Sequence, residues 1–321
     1  MSIEKPNLPI LAFSQKIWDL APHNAFTDII LFRGKWFCVF RESDSHGGTN
    51  NGIIRLITST DTVSWTSVHI WEESGVDLRD PKLSITPEGS LMLLAGGSYY
   101  MRGRYDSCQS RVSFSKDSKN WTSLIPILSP NDWLWRITWF EGKAYGVSYR
   151  LLNPKDRSKE WLLTLFESDD GINYRLVTDL MVPGYPSETT LRFTSRGEMV
   201  ALVRRGMPNN DQAWIGISIP PYDSWRWTVL NRSIGGPNFV ILPDGMMWAA
   251  GRYTFLTTYG SIENTVVTSL NELLKGPYLV LPSFGDTSYP GMFYHEDFLY
   301  VSYYSSHEGK SAIYFAKMKL P

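Results

Sequence analysis

One short motif recurs three times at nearly constant spacing, and it constrains the fold of this 321-residue chain more than any other feature. Residues 59–65, 115–121 and 168–174 all read S-x-D-x-x-x-(W/Y), and their starts lie 56 and 53 residues apart. A period of that length signals one supersecondary unit repeated around or along an axis. The motif also has a local mechanism. Ser and Asp side chains accept hydrogen bonds from nearby backbone N–H groups and close a tight turn, and the aromatic residue fills the space beneath it. Asp61, Asp117 and Asp170 are therefore read as turn residues that mark where units lie and carry no chemistry.

A second repeat completes the first. Runs of β-branched, aromatic and aliphatic residues flank Gly34, Gly89, Gly142, Gly197 and Gly245, which are separated by 55, 53, 55 and 48 residues. Each reads as a strand, a tight turn and a second strand. A sixth copy, around His295, Glu296 and Asp297, has the same strands without the glycine. No segment shows a sustained helical period. Six units of about four strands predict an all-β, six-bladed β-propeller occupying residues 1–321 as a single domain. The C-terminal run from Ala312 is expected to supply a strand to the last blade. The segment Pro9 to Phe13 is expected to add that blade's outer strand and close the ring, which removes the open sheet edges.

Composition narrows the partners. A net charge of −1 argues against nucleic acid or an anionic membrane surface as the main partner. Cys38 and Cys108 are too few for a disulfide framework, and Cys38 sits in an apolar run as a small buried hydrophobe. No apolar stretch approaches a membrane span, and the opening residues lack the apolar core of a signal peptide, so a soluble, cytoplasmic protein is expected. The five histidines are scattered along the chain, so no metal cluster is expected and no cofactor is implied.

In a propeller the innermost strand of each blade delivers its leading residues to one end of the axis. Those positions are Asp28, the run Arg79, Asp80, Pro81, Lys82, then Arg136, Glu188, Asn238 and Tyr289. The ends of the second strands return to the same rim with Arg41 to His46, Tyr149, Arg204, Arg205 and Arg252. An uncommonly large share of these are charged or phenolic. Residues 43–51, polar and Gly-rich, suit a rim loop over a pocket. Arg41 beside Glu42, and Arg79 beside Asp80, also read as plain ion pairs.

With these turns and six blades, the chain resembles the sialidase (neuraminidase) superfamily, whose blades carry such Asp boxes (BNR repeats). The resemblance implies an exo-acting glycoside hydrolase with an Arg cluster for a sugar carboxylate, a Tyr nucleophile activated by a Glu, and an Asp acid/base. Carried over, Glu188 resembles the activating Glu, Tyr289 the nucleophile, Arg204 a cluster arginine and Arg252 a looser candidate for another. Asp44 resembles the acid/base by location. A bidentate guanidinium matches a carboxylate in charge and shape, and a neutral Tyr attacks an anomeric centre beside that carboxylate with less repulsion than a carboxylate would feel. The family's first arginine, in an R-I-P motif, is replaced here by Phe26, Thr27, Asp28 and Ile29; Arg41 or Arg136 is its candidate substitute. The chain also resembles a group of sialidase-like proteins marked by F-T-D, F-R-E-x-x-x-H and L-R-D-x-K, here ending on Asp28, His46 and Lys82.

The expected site is thus catalytic Tyr289, Glu188 and Asp44, with Arg41, His46, Arg79, Asp80, Arg136, Arg204 and Arg252 binding an acidic carbohydrate, sialic acid being one candidate. Two alternatives stand beside it. One is a hydrolase or lyase on a uronate-type sugar, using His46, Arg41 and Tyr289. The other is a glycan-binding propeller without catalysis.

Overall fold

A computed structural model describes residues 8–151, 161–206 and 211–321. The opening segment predicted to lack a signal core falls partly in residues 1–7, outside the described residues. Six four-stranded antiparallel sheets follow one another around an axis, as the repeat predicts. The first blade comprises His23–Phe32, Lys35–Ser43, Ile53–Ser59 and Thr66–Trp71 from axis to periphery, and the second starts with Asp77–Ile85 and Leu91–Met101. The inner strands of the remaining blades are Trp133–Phe140, Pro186–Phe193, Gly235–Ile241 and Thr287–His295. Closure is as expected: Ile10–Trp18 pairs with Ala312–Lys319 and forms the outer strand of the last blade. Apolar clusters fill the wedges between neighbouring blades, such as the one joining Val39, Leu56, Trp71, Leu83 and Leu93. Among the described residues no helix is long and apolar enough to cross a membrane.

The S-x-D turns join the third and fourth strands of the first three blades. In the first, the N–H groups of Val63 and Ser64 donate to Asp61 Oδ1 at 2.9 and 2.8 Å, and that of Thr62 to Ser59 Oγ at 2.9 Å. Trp65 Nε1 closes the turn on the Thr62 carbonyl at 3.2 Å. The paired N–H bonds to the carboxylate recur at Asp117 and Asp170. The fourth blade has lost the Asp but keeps the aromatic lock, Trp225 Nε1 donating to the Tyr222 carbonyl at 3.2 Å.

A feature invisible as a hydrophobic pattern repeats in all six inner strands. Pairing with the second strand slips between Ala25 and Asp28, Arg79 and Lys82, Leu134 and Ile137, Pro186 and Thr189, Gly235 and Asn238, and Ser288 and Gly291. Each slip is a β-bulge, which frees residues from the ladder and re-aims their side chains. The freed residues include Phe26, Asp80, Trp135, Glu188, Gly236 and Tyr289. Phe26, Asp80 and Tyr289 take left-handed φ values of 61°, 51° and 52°, a strained conformation for residues with a Cβ. Proline at 81, 237 and 290 tolerates these positions because a bulge demands no ladder N–H there.

Candidate active site

The bulges of the second, fourth and last blades converge on one cavity. Arg79, Asp80, Glu188 and Tyr289 line it together with aromatic residues of the second and third blades, enclosing about 200 Å³. Tyr289 Oη donates to Glu188 Oε1 at 2.5 Å, although 101 residues separate them in sequence. Arg204 Nη1 lies 2.6 Å from the same carboxylate oxygen and 3.3 Å from the Tyr289 hydroxyl. The other oxygen, Glu188 Oε2, accepts the backbone N–H of Gly236 at 2.8 Å. Glycine is required there: φ is +60°, and a Cβ would sit 2.9 Å from both Ser288 Oγ and the Tyr289 ring. Behind the site, Ser288 Oγ donates to the Gly235 carbonyl at 2.6 Å and Thr27 Oγ1 to the Tyr289 carbonyl at 2.9 Å, so the strained backbone is held from both sides.

The electrostatics separate the carboxyl groups. Burial raises the pKa of Asp80, and the neighbouring Arg79 and Lys82 cations only partly offset it. Burial would raise Glu188 as well, but the Arg204 guanidinium and the hydrogen bonds from Tyr289 and Gly236 together outweigh it and leave Glu188 below its ordinary value. The Tyr289 hydroxyl is pushed up by burial and then by the Glu188 charge, with Arg204 opposing. At neutral pH the triplet is an ionised Glu188 accepting a hydrogen bond from a neutral Tyr289 under a fixed positive charge. Beneath it lies Lys82, buried with Nζ 4.7 Å from the Trp135 ring centroid. Its pKa is lowered to about 8 by burial and then by Arg136, against the pull of Asp28, Asp80 and Glu188.

The other expected residues are distributed as follows. Arg41 is fully buried; its Nε donates to Asp77 Oδ1 at 2.8 Å and its Nη1 to the Ser45 carbonyl at 2.8 Å. It anchors the rim loop to the second blade and does not line the cavity, nor does it pair with Glu42, which accepts from Trp18 and Arg55. Arg136 pairs with Asp28 at 2.8 Å on the axis. It lines a separate hollow of about 1000 Å³ formed by the far ends of the inner strands, away from Tyr289. Neither residue supplies the missing R-I-P arginine at the cavity. Arg252 sits 3.6 Å from Glu263 and is not among the residues lining the cavity. Asp44 is exposed and accepts from Asn51 within its own loop, so the carboxyl group actually placed in the cavity beside Glu188 is Asp80.

His46 is turned to the last blade, where its Nδ1 lies 2.8 Å from Asp286 Oδ2. His23 Nε2 reaches the same oxygen at 2.9 Å. The histidines are therefore not all scattered: the first hairpin runs out and back, returning the loop after its second strand to the start of its first. Sequence reasoning also passed over the cavity's aromatic wall, Tyr100, Tyr105, Trp133 and Trp161, which stands beside the expected rim residue Tyr149. For Tyr100 and Tyr105 the signal was the hairpin of the second blade, whose strands Leu91–Met101 and Arg104–Ser115 are longer than their equivalents in every blade but the fifth.

No protein-family model matches the sequence, and no curated protein matches it. Solved structures do match in fold. A protein of unknown function from Dyadobacter fermentans superposes with a TM-score of 0.79 at 18% identity, over 99% of both chains. The α-L-arabinofuranosidase Arb93A of Fusarium graminearum superposes with a TM-score of 0.73 at 12% identity, over 97% of this chain and 98% of that one. A sialidase of Trypanosoma rangeli gives 0.65 at 11% identity, over 97% of this chain and 59% of its own. In fold, the chain is a sialidase-like six-bladed propeller.

Proposed function

We propose that the chain is a retaining exo-glycoside hydrolase with Tyr289 as nucleophile, Glu188 as its base and Asp80, in place of Asp44, as acid/base. The observation that carries this reading is the 2.5 Å bond from the Tyr289 hydroxyl to Glu188, with Arg204 on both groups. A Tyr–Arg pair gathered on the buried Glu188 carboxylate has little use in a purely structural axis. Perturbed titratable groups gathered in a cleft are the usual sign of acid–base work.

The chemistry balances. Tyr289 Oη attacks the anomeric carbon while its proton passes to Glu188, and Arg204 stabilises the charge that builds on the oxygen during transfer. The glycosidic C–O bond breaks and the leaving oxygen takes a proton from Asp80. Water then attacks the glycosyl–tyrosine bond, giving one proton to Asp80 while Tyr289 recovers its own from Glu188. The net reaction is glycoside plus water to sugar plus alcohol. The substrate is a sugar carrying a carboxylate that meets Arg79, whose own contacts to Tyr100, Asp77 and Asp80 are long, at 3.5–3.8 Å.

One observation favours a second reading. Among the described residues lining the cavity Arg79 is the single arginine, set against five aromatic residues besides Tyr289, which suits a neutral sugar stacked on its C–H faces. Fluorogenic sialosides, uronides and arabinofuranosides given to the purified protein separate the two. Turnover of an acidic glycoside, with Arg79→Met raising KM and Tyr289→Phe abolishing turnover, is the expected result. Turnover confined to neutral glycosides replaces the acidic reading with the neutral one. Unchanged turnover in Tyr289→Phe removes it as nucleophile.

A further inference from the structure

We propose that His23, His46 and Asp286 form a binding site for a zinc-class divalent cation across the seam where the last blade meets the first. His23 opens the inner strand of the first blade, His46 lies in the rim loop, and Asp286 immediately precedes the inner strand of the last blade. One donor atom from each lies within 4.8 Å of the other two. Two imidazole nitrogens and a carboxylate oxygen are a donor set for zinc and its first-row neighbours, in preference to the oxygen-only sets that calcium and magnesium demand. Three protein donors also leave a fourth position for water or a substrate oxygen.

The surroundings prepare the donors. Asp286 Oδ1 accepts from the Tyr304 hydroxyl at 2.8 Å, and the Asp286 N–H donates to Ser306 Oγ at 2.9 Å, so the carboxylate is oriented with Oδ2 toward both rings. Outer partners of this kind fix metal ligands in known sites. Among the described residues the ion-pairing partners of Asp286 are these two imidazoles, with no Lys or Arg competing. His23 is 9% exposed and rigidly placed in its strand, whereas the His46 side chain is 54% exposed, giving a cation a way in. The nitrogens stand 2.8 and 2.9 Å from Oδ2. Tetrahedral bonds of about 2.0–2.2 Å place donors roughly 3.3–3.6 Å apart, so binding needs a retreat of about half an ångström, which the loop carrying His46 can supply. Occupancy would staple the rim loop to the last blade. Phe26 packs on both the His46 ring, at 5.1 Å, and the Tyr289 ring, at 5.0 Å, so the site lies one aromatic ring from the nucleophile proposed above.

The test does not depend on any glycosidase activity. The full chain is stripped with a chelator and titrated with Zn²⁺ by calorimetry, with Ca²⁺ as control and bound metal counted by elemental analysis. One Zn²⁺ per chain, no comparable Ca²⁺ uptake and a Zn²⁺-dependent rise in Tm are expected. His46→Ala, in an exposed loop, should abolish stoichiometric uptake, and Tyr304→Phe should weaken it about 10–100-fold. Absence of Zn²⁺ uptake by the unaltered chain means the rings are merely hydrogen-bonded to Asp286 and overturns the proposal. Uptake unchanged in His46→Ala does so too, because the cation then sits elsewhere. Asp286→Asn is a second check where circular dichroism shows it folded.

Discussion

At the scale of single residues, the candidate site separates like groups through their surroundings. Glu188 and Asp80 are both buried carboxyl groups of one cavity, yet Arg204 holds Glu188 below its ordinary pKa while burial keeps Asp80 above its own. Under the mechanism proposed above, these signs set a pH profile. Glu188 acts ionised, so activity persists as pH falls until Glu188 itself protonates, below the ordinary carboxyl range. Asp80 acts protonated as the leaving-group acid, so activity falls as pH rises through its raised pKa. Asp80→Asn should remove that upper limb and lower kcat by about 10²–10⁴-fold for a substrate with a poor leaving group. The loss should be far smaller for an activated aryl glycoside, whose departure needs no proton. Equal losses on both substrates, measured in pH–rate profiles, would dismiss Asp80 as the acid. The residue scale also marks what sequence could not supply. The convergence of Tyr289, Glu188 and Arg204 was legible because their strands repeat. Arg41 and Asp44 were misplaced because their partners, Asp77 and Asn51, are chosen by loop path and blade contact, which periodicity does not encode.

At the scale of the element, the bulged inner strand and the S-x-D turn divide the labour. The bulge turns residues toward the axis in every blade, and its sequence trace is faint: prolines at 81, 237 and 290 in otherwise strand-like runs. The turn is loud in sequence and remote from the cavity. The N–H groups of Ser64 and then Val63 lower the Asp61 pKa to about 2. A carboxyl group depressed on folding lends stability above its unfolded pKa, near 4, and loses it as pH falls through the folded value. Asp61→Ala should therefore lower Tm at neutral pH, with the difference from the unaltered protein shrinking toward pH 2 and turnover unaffected. A Tm difference constant across that range, in thermal melts from pH 2 to 7, would show that the carboxylate charge is not what holds the turn.

At the scale of the whole molecule, closure is the decisive contact. Ile10–Trp18 covers the last blade through Ala312–Lys319, and Trp18 Nε1 continues across the seam to Glu42 Oε1 at 2.6 Å. Removing residues 1–18 should uncover an unpaired strand edge, lower Tm and promote self-association visible by size-exclusion chromatography. A monomer of unchanged Tm would mean that the ring holds without its outer strand. The same seam brings His23, His46 and Asp286 together, across 263 residues of chain between the first and the last. By itself the sequence determined the all-β class, the six blades, the closure of the ring and the strand starts from which Glu188 and Tyr289 point inward. Strand periodicity and turn chemistry are local properties, and local residues carry them. The tertiary structure alone decided which charges meet: Arg41 with Asp77, Arg136 with Asp28, Asp80 in the cavity and two histidines on one carboxylate. Those pairings join different blades or the two ends of the chain, and only the curvature of the closed ring brings them within reach.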